Sequence, residues 1–134
     1  KKVLVESEAN FVLRKFSLAL ENVKPDSTVV TSTATDVTLS LIKPLSAGVE
    51  ENVVFTLSKV GGQITQQQGI VGFPLGASVP LTTSHIRIKN GEVIYSDPVD
   101  NKAGSVVVKF DIDGKDCGAS QCFIITRYLR TDTT

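Results

Sequence analysis

The chain has 134 residues, with 14 basic and 14 acidic side chains, so its formal net charge is zero. That length fits one domain spanning 1–134, and the charge balance excludes non-specific nucleic-acid binding, which needs a surplus of Lys and Arg. A 41% hydrophobic content can fill a core, while one His and no Trp or Met exclude a His-rich metal site and leave few of the familiar catalytic constellations.

The chain starts at Lys1 rather than Met, which reads as a processed chain, a fragment or an engineered product. No apolar run approaches the ~20 residues that span a bilayer, so no transmembrane segment is expected. Val3, Leu4 and Val5 lie among charged residues and read as a short terminal strand, paired within the chain or added to a neighbour's sheet edge. Glu6 to Leu20 is the best helix candidate, but Arg14 and Lys15 interrupt its face. Phe16, Leu18 and Leu20 alternate with Ser17, Ala19 and Glu21, so this stretch is read as mostly strand.

Period-two alternation continues through Val37, Leu39 and Leu41, then through Val53, Phe55 and Leu57. It returns at Val106, Val108, Phe110 and Ile112, and again after Phe123. Such alternation marks strands with one face on a core and one face in water. Turns are expected at Lys24-Pro25-Asp26-Ser27, after Lys43-Pro44, at Gly61-Gly62 and at Asn101 to Gly104. Asn90-Gly91 lies between Ile86-Arg87-Ile88-Lys89 and Glu92-Val93-Ile94-Tyr95, which predicts a type I′ hairpin with Lys89 facing Glu92. The spacing predicts an all-β fold: an antiparallel two-sheet β-sandwich of about eight to nine strands, immunoglobulin-like or jelly-roll in topology.

The most unusual segment is Gln63 to Leu81. Its second part, Gly69 to Leu81, has no charge, three Gly and two Pro. It reads as an irregular connection over the open end of the sandwich, as an apolar loop that binds a partner through Ile70, Val71, Phe73 and Leu75, or as a membrane-contacting loop. Tyr95 is the candidate for stacking a sugar ring.

Asp111, Asp113 and Asp116 surround Gly114 in a run that resembles part of a calcium loop, although no downstream Glu closes it and Lys115 opposes a cation. The plainer reading is an acidic strand end. Cys117 and Cys122 flank small residues and read as a short disulfide loop, which implies an oxidising compartment. His85 follows Thr82-Thr83-Ser84 without a Gly-x-Ser-x-Gly elbow, so a hydrolase centre there is a minor reading.

The expectation is a non-enzymatic, secreted or cell- or virion-surface module. It acts by protein binding or self-association, as a structural subunit or adhesion-type domain, with no cofactor. The alternatives are a carbohydrate-binding module, calcium-assisted or not, and a hydrolase using His85.

Overall fold

The computed structural model describes residues 2–24, 27–46, 48–96, 104–114 and 125–133. Helix α1 spans Lys2–Ala19. The strands are β1 (Val29–Ser32), β2 (Asp36–Ser46), β3 (Val49–Ser58), β4 (Val60–Gly62), β5 (Ile64–Ile70), β6 (Val79–Pro80), β7 (Ile86–Ser96), β8 (Gly104–Gly114) and β9 (Ile125–Thr133). The first sheet runs β1-β2-β3-β5-β6 and the second β4-β7-β8-β9, every pair antiparallel. The expected two-sheet sandwich is present.

The alternating strands supply its core. Val37, Leu39 and Leu41 of β2 lie opposite Leu57, Phe55 and Val53 of β3. Their inward face meets Ile86, Ile88, Val106, Val108, Phe110 and Ile112 of the second sheet in one buried cluster. β4 joins the sheets at one corner, since it links β3 to β5 in sequence but pairs with β7.

The N-terminal strand reading is corrected: residues 2–19 form a helix. Val5, Ala9, Val12, Phe16 and Ala19 are buried, followed by Val23 past its end. They recur at alternating steps of four and three, the spacing of one helical face. Two of the six are Ala, which carries little hydrophobic signal but lets a helix lie close to a sheet. Asn22, at φ 58°, reverses the chain after the helix, a conformation Asn tolerates at helix ends. The helix runs beside β8 and β9, while Phe16 stacks on Phe55 of β3 with ring centroids 4.3 Å apart. It is therefore inserted between the two sheets. Buried Glu8 fixes it further: one carboxylate oxygen accepts the Thr83 N–H and the other the Thr83 hydroxyl, both at 2.7 Å.

The Asn90-Gly91 hairpin is also corrected. β7 passes straight through both residues. Lys89 pairs with Asp111 and Glu92 with Lys109, so Asn90 and Gly91 together oppose Phe110 as a β-bulge. Asn90 has φ 55°. The extra residue changes which parity faces inward: Ile86 and Ile88 are buried before it, Gly91 and Val93 after it. Gly91 is packed so tightly that a Cβ there would lie 2.7 Å from the Ser58 carbonyl oxygen and 2.8 Å from the Leu57 Cβ. Asn-Gly supplies the local geometry for a turn, but here β7 instead pairs with β8 on both sides of it, from Ile86 to Ser96. Two smaller expectations also change. β2 continues past Lys43-Pro44 to Ser46, with an irregularity at that point, and Gly61-Gly62 belongs to β4.

Phe16→Ala should destabilise the fold by about 3–5 kcal/mol, the usual cost of emptying a buried aromatic site. Phe11→Ala, on the exposed face of the same helix, should cost under about 1 kcal/mol. Urea unfolding of both variants measures the contrast; equal losses would show that α1 is not seated by its Phe16 face.

Candidate functional site

The candidate site is the end of the first sheet where β2 turns into β3 and β5 leaves for β6. Ser46 pairs with Val49, and Glu51 pairs with Ile70. The Val71 N–H donates to the Glu50 carbonyl at 2.9 Å, extending the β3–β5 ladder one step past the last paired residue. These pairings bring Leu45, Val49, Ile70 and Val71 to one sheet end, all exposed.

The uncharged segment then folds back. The Phe73 N–H donates to the Ile70 carbonyl at 3.0 Å, and the Gly76 N–H to the Gln68 carbonyl at 2.9 Å. The Gln67 side-chain amide donates to the Gly76 carbonyl at 3.3 Å. Pro74 has no N–H to satisfy. Gly69 allows the close approach: a Cβ there would lie 3.0 Å from the Pro74 carbonyl oxygen and 3.2 Å from the Leu75 Cα. The loop thus lies along the edge of β5 with its backbone hydrogen-bonded and its apolar side chains outward. Phe73 is 72% exposed, and Val71, Leu75 and Val79 are exposed with it. Of the three readings of this segment, the irregular connection is corrected in one respect: the loop covers a sheet edge, not the open end of the core.

The structure brings together Ile70, Val71, Phe73 and Leu75 of the expected binding residues. Tyr95 is separate from them. It lies on β7 opposite Val106 in the second sheet and is half-buried against the core, which leaves it poorly placed to stack a sugar ring. Sequence reading missed Leu45 and Val49, which join the apolar end only through the β2–β3 pairing.

The acidic candidates are held otherwise. Asp113 is 5% exposed and lies between two cations, 3.2 Å from the Arg87 Nε and 3.2 Å from the Lys89 Nζ. Asp111 accepts the Asn90 side-chain amide at 2.8 Å. A carboxylate already flanked by two cations is poorly disposed to take a third. No group of three His, Cys, Asp or Glu converges among the described residues. Asp116, Cys117 and Cys122 lie outside the described residues. His85 is exposed just before β7, and its backbone N–H donates to the Thr83 hydroxyl oxygen. That hydroxyl in turn donates to Glu8, so it serves the helix anchor. Among the described residues no helix is long and apolar enough to cross a membrane.

No protein-family model, curated protein or solved structure matches this chain.

Gly69→Ala should push the 71–76 loop off β5, because neither neighbour it meets is a flexible side chain. Amide exchange read residue by residue should then show the Gly76 N–H losing protection while the β2–β3 ladder keeps it. Unchanged protection at Gly76 would mean that the close approach does not hold the loop.

Proposed function

We propose that this chain is a non-catalytic binding and assembly module that associates through the apolar end of its first sheet. The observation that supports the reading is the cluster of exposed Leu45, Val49, Ile70, Val71, Phe73 and Leu75 on hydrogen-bonded backbone. Fully burying one such side chain is worth about 1.5–3 kcal/mol. Four or five of them together are comparable to the estimated cost of association, about 4–15 kcal/mol. An apolar patch on an ordered scaffold suits a protein partner, since little is lost in ordering the loop.

A secreted or surface location belongs to the same reading. It rests on Cys117 and Cys122 forming the short disulfide loop their spacing suggests. Intact-mass measurement under non-reducing conditions tests it: the oxidised mass supports the location, and two alkylatable thiols in freshly isolated protein overturn it.

Sedimentation velocity over a concentration series tests association. The wild-type protein should self-associate as concentration rises toward about 1 mM, the weak limit of a specific contact. The Val71→Ser/Phe73→Ser variant should associate at least about tenfold more weakly with its melting curve unchanged. A wild-type chain that stays monomeric throughout, or a variant that associates equally well, would overturn the proposal.

A further inference from the structure

The first sheet is longer than the helix that covers it. α1 stops at Ala19, and the loop that follows turns aside, with the Lys24 N–H donating to the Ile42 carbonyl of β2. The inward-facing residues of β3 therefore emerge stepwise: Phe55 and Val53 are buried, Glu51 is half-buried and Val49 is exposed. β5 repeats the pattern, from buried Ile64 through half-buried Gln66 to exposed Gln68 and Ile70. A groove of about 190 Å³ opens where the helix ends, lined by Lys15, Leu18, Lys43, Glu51, Val53 and Gln68 among others. This overhang is the same sheet face that elsewhere forms the core.

Its charges are fixed in place. Lys43 and Glu51 are directly cross-strand. The Lys43 ammonium donates to the Leu18 carbonyl at 2.9 Å, at the end of the helix. Glu51 accepts the Gln68 amide at 3.4 Å, and Gln68 accepts the Gln66 amide at 3.0 Å. Lys15 is the other charged residue lining the groove. Opposite charges thus stand side by side among exposed Leu18, Val49 and Ile70.

We infer that this overhang is the contact face for a second copy of the chain, joined about a two-fold axis that sets Lys43 of each copy against Glu51 of the other. The inference rests on the assembly reading and names its partner and register. A two-fold contact brings one patch against itself. A patch of a single sign would repel its copy, whereas Lys beside Glu, turned by half a revolution, meets its complement. The held positions of both side chains reduce the ordering cost of that pairing. An anionic membrane is a poorer match, since it favours clustered basic residues without an acid among them.

The test uses full-length Lys43→Glu and Glu51→Lys chains, separately and mixed, by sedimentation velocity, with melting curves confirming the fold. Each single variant should dimerise at least about tenfold more weakly than wild type, because both intermolecular pairs become like-charged. An equimolar mixture should recover association as a heterodimer, since both pairs are then opposite in sign. Loss of the intrachain Lys43–Glu51 neighbourhood alone cannot produce that recovery. Ile70→Asp should abolish association of either kind. If the wild type associates, Val71→Ser/Phe73→Ser weakens it and the mixture shows no recovery, the two-fold register falls while the apolar-end reading stands. Single variants that dimerise like wild type also overturn the register, and a monomeric wild type overturns both.

Discussion

Phe16 lies against Phe55 with the rings tilted by 36°, and this contact joins the three layers of the molecule. Phe55 belongs to the first sheet, Phe16 to the helix, and the helix runs beside β8 and β9 of the second sheet. Directly, the sheets meet mainly where β7 lies against β1, β2 and β3, and the helix fills space over the inward face of β3 at Phe55. The small residues at Ala9 and Ala19 let the helix sit deep, and the large one at Phe16 fills the gap between the layers. Glu8 then sets the helix along its axis, because its two acceptor positions match one backbone donor and one hydroxyl on the same residue.

The depth and length of that helix decide what else is buried. Where α1 covers the first sheet, the sheet residues are apolar and inaccessible. Toward and past Ala19 the strands carry Lys43, Glu51 and Gln68, polar groups compatible with water, interleaved with Val49 and Ile70. The bulge at Asn90-Gly91 plays the corresponding part in the second sheet. It lets one strand present Ile86 and Ile88 inward, pass over the Leu57–Ser58 backbone with no side chain, and still present Val93 inward beyond it. Both devices fit strands longer than the surface they pack against.

The strands were legible because Val37 to Leu41, Val53 to Leu57 and Val106 to Ile112 alternate without interruption, and alternation is the direct signature of a one-sided sheet. The helix was not, because its inward face includes Ala9 and Ala19, which carry little hydrophobic signal, while Phe16, Leu18 and Leu20 supply a competing alternation. Asn90-Gly91 misled for a different reason. A left-handed Asn followed by Gly serves a hairpin and a bulge equally, and only the partner strand, more than ten residues further on, decides between them. The apolar loop stood out by composition, so Ile70, Val71, Phe73 and Leu75 were readable. Leu45, Val49 and the overhang were not, since they depend on strand register and on where the helix ends.

The edge of β5 shows why the identity of those loop residues matters. β6 pairs with only Thr65 and Gln66, so the rest of that edge would offer its N–H and C=O groups to any passing strand. The returning loop closes it through the Gly76 N–H on the Gln68 carbonyl, and Gly69 allows the approach. This protection is made by backbone atoms, by Pro74 and by two glycines. Ser, Thr or Asn at positions 71, 73 and 75 would protect the edge as well and would dissolve better. Phe73, 72% exposed, therefore gains little from being apolar in the isolated chain, whereas Val71 and Leu75 are partly covered by it. Val49 and Ile70 at the sheet end are likewise partly covered, and neighbouring positions carry Glu and Gln. Strand pairing at the sheet end and the returning loop beside it thus leave several partly covered apolar side chains, and the largely exposed Phe73, with apolar surface still in contact with water.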